Sequence, residues 1–446
     1  MTELGRPMRI LLFCNRPKET DDASTILEHI DAFKKHSRHE IHLWSSLTGL
    51  PDQKILNEFD CLIIHYSISF LTDRYVSRTT LERIRSFSGL KVAFLQDEYR
   101  RVDFMCLNLK YAGVHLIYSC APLEVAQKMY ASLRPSIEIR TTLTGYVCER
   151  WEKTKIKEFS NREIDVGYRA RKCPFFLGKK GYDKYLIGEE FLKNSQGLGL
   201  RTDISSKEKD RLYGREWIEF LQNCKATLGT DSGSSIIDFN GETEYRLSLY
   251  QALHPFAKFA NVPPQYLELD GKLEIQVISP RCFEAAALGT VLILFPGNYS
   301  GILRPFDHYL PLKKDFSNLQ EVLNILESEG QAKEIIARAR KDLIDSGKYS
   351  YSTFINGVDD TLDQLADQKD FAIQRSPGPM LELIENDQTV SVTSPLASSL
   401  RSLFSGIFKR LPEWLRFLAM MTILRKKYFS HLYPHHWHHL KCPSNL

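Results

Sequence analysis

SPRCFEAAALGTVLIL, Ser279 to Leu294, reads as a turn, a helix and a buried strand in succession. Ser279 is a good N-cap with Pro280 at the first helical position, and Glu284 falls in the early turns. Ala285 to Leu288 favour helix, and Gly289 can close it. Thr290 to Phe295 then forms a β-branched, apolar run of strand character. In an open α/β sheet the free N–H groups of such a helix face the ligand crevice, where they can receive phosphate while Arg281 and Glu284 project nearby. The stretch also suits an ordinary αβ unit of a doubly wound domain, so its surroundings must decide.

Working outward, the length of 446 residues exceeds the roughly 250–300 at which a single core stops growing, so two domains and a tail are expected. A hydrophobic fraction of 43% and a charged fraction of 26% are those of a globular protein rather than a disordered or fibrous one. The net charge of +4 is mild, which argues against nucleic acid as a partner, although basic residues concentrate at the C-terminus. Nine cysteines, odd in number and never spaced CxxC, fit a reducing cytosol. The N-terminal MTELGRPMRILLF has no long apolar region before its first strand, and no uninterrupted apolar run is long enough to cross a bilayer. The expectation is a cytoplasmic protein.

Along the chain, Met8 to Asn15, Glu40 to Ser45, Cys61 to Tyr66, Lys91 to Leu95 and Leu116 to Ser119 read as strands separated by helical or loop segments, which predicts a parallel sheet. The first turn lacks GxGxxG, so the dinucleotide fingerprint is missing. After a charged segment, Cys148 to Arg162, the alternation restarts with strand Glu163 to Tyr168 and helix Tyr182 to Lys193. Strand Gly199 to Ile204, helix Gly214 to Cys224 and strand Ala226 to Gly229 follow. Between Phe239 and Gln276 the pattern is irregular. The predicted organisation is a first Rossmann-like domain over 7–148, a second over 160–345, and a helix over 350–368 that crosses back. A linker over 371–399 and a basic amphipathic tail over 400–446 complete it.

The Glu284 stretch resembles the donor-site helix of GT-B glycosyltransferases, especially the retaining group 1 enzymes, through Glu284, Ala285 to Ala287, Gly289 and Thr290 to Leu294. The resemblance implies two facing Rossmann-like domains, a nucleotide-diphosphate sugar as co-substrate, no further cofactor, and transfer to a hydroxyl of a glycan, lipid-linked glycan or protein. It also implies retention of anomeric configuration. Glu284 would accept the ribose hydroxyls, with Ser279 and Arg281 beside it, and an arginine and a lysine after the first strand of the second domain would grip the diphosphate. Arg169 and either Lys180 or Lys184, in the loop RARKCPFFLGKKGYDK, look like these. The spacing departs from the common one and leaves both lysines open.

Sugar transfer must stabilise charge on the leaving diphosphate, by a divalent metal or by fixed cations. The chain has no Asp-x-Asp, which favours cations and predicts no metal site. The resemblance places a second acid where this chain has Gln276, so either an amide positions the sugar or Asp231 supplies the acid. Asp231 opens a loop with hydroxyls at Ser232 and Ser234 and close backbone approach at Gly233. On the acceptor side, His65 and Tyr66, then Gln96, Asp97, Glu98 and Tyr99, sit at strand ends, His65 and Asp97 being the candidates to orient or deprotonate a hydroxyl. A histidine there also suits a purely structural role. The tail carries seven basic residues against Glu413 among apolar ones, a composition that binds anionic membrane surfaces or docks on protein, and predicts peripheral attachment to the inner face of the membrane. The alternatives are a catalytically silent sugar-binding or scaffold protein of the same fold, or a sugar-nucleotide epimerase.

Overall fold

The computed structural model describes residues 7–17, 24–47 and 49–368, with isolated positions at 386–387, 408, 411–412 and 415. Six parallel strands form the first sheet: β1 (Arg9–Cys14), β2 (Glu40–Ser45), β3 (Cys61–Ile64), β4 (Leu90–Leu95), β5 (Leu116–Ser119) and β6 (Glu138–Thr141). Their spatial order is β2-β1-β3-β4-β5-β6, and the short pair Asn386–Asp387 extends the β2 edge. Both faces are covered. Leu11, Phe13, Leu62 and Ile64 enter one buried cluster, while Ile10, Leu12, Cys61 and Ile63 enter the other. That alternation is why these strands read as unbroken apolar runs.

The second sheet repeats the plan with β7 (Ile164–Arg169), β8 (Thr202–Ser205), β9 (Cys224–Gly229), β12 (Val291–Leu294) and β13 (Tyr309–Pro311), in the order β8-β7-β9-β12-β13, all parallel. In each sheet the chain reverses its direction of travel beside the first strand, after β2 and after β8. Ligand crevices of open sheets lie at such switch points, at the carboxyl ends of the strands. Between β9 and β12 an antiparallel ribbon pairs β10 (Ser232–Ser234) with β11 (Ile275–Val277). The helix Tyr351–Gln368 returns to the first sheet, where Ile355, Val358 and Leu362 join the cluster of Ile10 and Leu12.

Two parts differ from the sequence reading. Strand β6 is a half-exposed edge strand, EIRT, with no apolar run to announce it. The supposedly irregular stretch after Phe239 contains the helix Glu242–Leu253, which has no apolar stripe because it buries Glu244 along with Leu247 and Leu253. The eight described cysteines form no disulfide. Among the described residues no helix is long and apolar enough to cross a membrane. The linker and basic tail expected beyond 370 lie outside the described residues, apart from the isolated positions.

Candidate active site between the two sheets

The helix Gly178–Asn194 begins the donor-side wall. Its first N–H groups are occupied by protein: Lys179 N–H donates to Asp270 Oδ1 at 3.1 Å and Lys180 N–H to Ser235 Oγ at 3.1 Å. This N-terminus is therefore no phosphate cradle. Lys180 and Lys184, one turn apart, have different surroundings. Lys180 Nζ donates to both oxygens of Asp231, at 3.0 and 2.9 Å, and lies 3.9 Å from Glu274. Burial raises the Asp231 carboxyl above its ordinary range, and Lys180 opposes that rise. Lys184 makes a long contact of 3.5 Å to Ser232 Oγ. Burial lowers its ammonium, while Asp97 and Asp231 pull upward and Arg281 pushes down.

The ribbon brings Gln276 opposite Gly233, whose φ of +113° and approach to Ile275 leave no room for a Cβ. The two alternatives for the sugar-side acid are thus neighbours. Gln276 Nε2 donates to Glu274 at 2.5 Å. Ser234 turns inward, its hydroxyl donating to Leu177 O and Ile236 O.

On the other wall, the helix Pro280–Ala287 starts at Ser279, which makes no side-chain cap, leaving its first N–H groups free of that partner. Arg281 donates to the carbonyl of Arg169 at 2.6 Å and lies over the Trp217 ring at 4.8 Å. Glu284 is buried and accepts from the Trp217 indole at 2.7 Å. Burial raises its carboxyl, against the pull of Trp217, Arg281 and Arg150. Arg150 also donates to Glu28 and Ser24 of the first domain. Thr144 Oγ1 donates to Ile278 O at 2.7 Å, so the segment after β6 abuts this helix directly.

Arg169 departs from its expected role. Its guanidinium donates to the Asp203 carboxylate at 2.8 Å and to Asp203 O at 2.9 Å, and lies over Phe220 at 4.4 Å. Strand β8 thereby holds it sideways. His65 departs too. It is fully buried, with Nδ1 on Ser67 Oγ at 2.9 Å and Nε2 on His29 at 3.0 Å. Burial, with His29 beside it, holds it well below the usual histidine range, and no ring nitrogen faces the cleft. Glu98 is likewise buried, accepting from Ser119, Cys120, Ala121 and Tyr130. Asp97, by contrast, is exposed on a turn with φ +53°. Asn15 Oδ1 and Gln96 Oε1, at the ends of β1 and β4, are buried acceptors without a hydrogen-bond partner among the described residues.

Lys180, Lys184, Asp231, Ser232, Gly233 and Gln276 are thus brought together at the ribbon, Arg281 and Glu284 meet at Trp217 just after Ser279, Asp97 acts on Lys184 from the first domain, and the side chains of Arg169, His65 and Ser234 are engaged by protein. Trp217 and Asp203 were missed by sequence reasoning. Their partners lie 67 and 34 residues away, with no motif linking them. Among the described residues no group of three or more His, Cys, Asp or Glu side chains could hold a metal ion.

No protein-family model matches the chain, and no curated protein matches it. Solved structures are similar to it in fold. An alpha-glucosyltransferase in complex with UDP and a 13-mer DNA containing an HMU base aligns with a TM-score of 0.51 at 13% identity, over 80% of this chain and 99% of that one. Anabaena Alr3699/HepE in complex with UDP aligns over 80% of this chain and 100% of its own at 13% identity, with a TM-score of 0.46, too low to argue from. The expectation that nucleic acid is no partner is corrected by the first of these, because a protein of similar fold is described with DNA bound. Mild net charge is a poor guide, since recognition depends on local surface rather than on the sum over the chain. With two parallel sheets, each flanked by helices, and a helical stretch after the second, the chain has the GT-B architecture.

Proposed function

We propose that the protein is a glycosyltransferase that takes a sugar from a nucleotide-diphosphate donor to a hydroxyl acceptor. The supporting observation is the convergence of Lys184, Arg281 and the uncapped start of the helix Pro280–Ala287 above buried Glu284, with Asp97 influencing Lys184 from the other domain. A diphosphate placed there meets two cations and a helix N-terminus, the fixed positive groups that stabilise a leaving anion. Burial disfavours charge on Lys184, and an arriving phosphate favours it. Lys184 and Arg281, rather than Arg169, are the cations of this scheme, and Lys180 holds Asp231 in place. Glu284 takes the ribose hydroxyls on the oxygen not given to Trp217, and Gln276 with Asp231 borders the sugar. Asp97 orients the acceptor, and the departing phosphate helps to take its proton, with retention at the anomeric carbon.

Calorimetric titration with UDP, GDP, CDP and TDP, followed by a transfer assay on hydroxyl acceptors that include glycans and DNA, tests this reading. One nucleotide is expected to bind, its sugar to be transferred with the anomer retained by NMR, and EDTA to leave turnover unchanged. Glu284→Gln is expected to weaken that nucleotide by about 1.5–3 kcal/mol, the range for a charged hydrogen bond. Binding without transfer or donor hydrolysis would favour the silent sugar-binding alternative, which gains support from the neutral Gln276 and the engaged Arg169.

A further inference from the structure

The second domain sends an arm, residues 232–277, into the first. Ile237, Ile275 and Val277, each under 5% exposed, lie in the same buried cluster as Leu95, Val102 and Met105 of the first domain. Backbone groups cross as well. Asp238 N–H donates to Tyr99 O at 2.8 Å, Val102 N–H to Asp238 O at 3.1 Å and Asp103 N–H to Phe239 O at 3.0 Å. The last two satisfy N–H groups at the start of the helix Val102–Ala112, whose N-cap Arg101 has φ +45° and makes no capping side-chain hydrogen bond. Arg100 then pairs with Glu244, whose side chain is 0% exposed. Asp238 fastens the arm's own helix to the same point, accepting from Gly241 N–H at 2.8 Å and Glu244 N–H at 2.7 Å.

This junction joins two parts of the cleft. On the first-domain side Tyr99 and Arg100 continue the turn that carries Asp97. On the other side Asp238 follows β10, whose Gly233 faces Gln276 and whose preceding residue, Asp231, holds Lys180. We propose that the arm makes this border of the cleft one rigid unit, with Arg100 and Glu244 as positioning residues that hold the Asp97 turn beside the segment following β10 before nucleotide binds. Parting the domains here would strand backbone donors and acceptors and a buried charge, and would expose apolar surface. At the far border, around Gly145 and Pro280, Thr144 donates to Ile278 O, and Val147 exchanges backbone hydrogen bonds with Tyr349 and Tyr351.

The catalytic consequence rests on the function proposed above, but the mechanical one does not, and the two are read separately. Amide hydrogen exchange on the intact protein, with and without UDP, reports on the junction. The amides of Val102, Asp103 and Asp238 are expected to be protected without nucleotide and to change less than twofold with it. Rapid exchange that becomes slow only on adding UDP would overturn the proposal and make the arm a closing lid. Glu244→Gln, which keeps shape and removes charge, and Arg100→Met are each expected to speed exchange in both segments together. With the donor that the protein uses, both variants should keep nucleotide affinity within twofold, lose roughly tenfold in transfer kcat, and shift partitioning from transfer toward donor hydrolysis. Loosened amides with unchanged partitioning would remove the positioning role. Absence of transfer by the wild-type protein would instead sink the glycosyltransferase reading, leaving the exchange result to decide the rigid junction.

Discussion

Lys180 and Lys184 lie on the same helix face one turn apart, yet only one of them is held by a carboxylate. Lys180 and Asp231 are both largely buried and doubly hydrogen-bonded. Removing one partner leaves the other charge uncompensated, so Lys180→Met is expected to destabilise the fold by about 3–5 kcal/mol in urea titration. Lys184→Met should cost little stability and lower turnover on the order of 10²-fold, the effect of losing one preorganised cation or donor. If the two variants exchange these phenotypes, the assignment is reversed. Glu98 is the second residue whose surroundings set a measurable outcome. Burial raises its carboxyl to about 7 in spite of its four donors, against an ordinary value near 4.5 in the unfolded chain. The folded state therefore takes up the proton first, so the stability that Glu98 contributes is fully present below about 4.5 and is lost as pH rises through about 7. Relative to wild type, Glu98→Gln should become more favourable by about 3 kcal/mol between pH 4.5 and 8, because each tenfold difference in proton affinity is worth about 1.4 kcal/mol. Equal urea midpoint differences at pH 5 and pH 8 would contradict burial as the cause.

At the scale of elements, the charged segment before β7 is tied to its domain by a buried arginine. Arg162 is 1% exposed and donates to the carbonyls of Cys224 at 2.7 Å, Leu288 at 2.8 Å and Lys157 at 3.0 Å, and to Thr290 Oγ1 at 3.1 Å. It ties together the segment entering β7, the start of β9 and the end of the helix Pro280–Ala287. Burial lowers its guanidinium to about 10, still charged at neutral pH. Arg162→Met fills similar space but leaves several buried acceptors unsatisfied, each costing about 1–3 kcal/mol. A loss of at least about 3 kcal/mol in chemical unfolding is expected, and a loss below about 1 kcal/mol would mean water replaces the guanidinium. The segment reads in sequence only as a charged linker, because a buried arginine that bonds carbonyls leaves no periodic signature. The ribbon β10–β11 is hidden for a related reason: its strands are three residues each and lie 40 residues apart.

For the whole molecule, the helix Tyr351–Gln368 in the first core and the arm of the second domain knit the two halves twice. The expected result is one cooperative unfolding transition, with far-UV circular dichroism and the fluorescence of Trp44 in the first half and Trp217 in the second sharing a midpoint. Separate midpoints for the two tryptophans would show the halves unfolding independently. The sequence alone determined the two-sheet architecture, since strands buried on both faces must be continuous apolar runs and the helices between them amphipathic. It also offered Glu284, Arg281, Lys184, Lys180 and Gln276 through the resemblance to GT-B glycosyltransferases, and Asp231 and Asp97 because residues at the carboxyl ends of parallel strands face a crevice. Position along a strand cannot say which side chains are already engaged. Only the tertiary structure decided that Arg169 is held by Asp203, that His65 is paired with His29, and that Trp217 reaches Glu284. Each of those contacts joins residues at least 34 positions apart, and charge and hydrogen-bond pairing across such separations is set by packing, which local pattern does not encode.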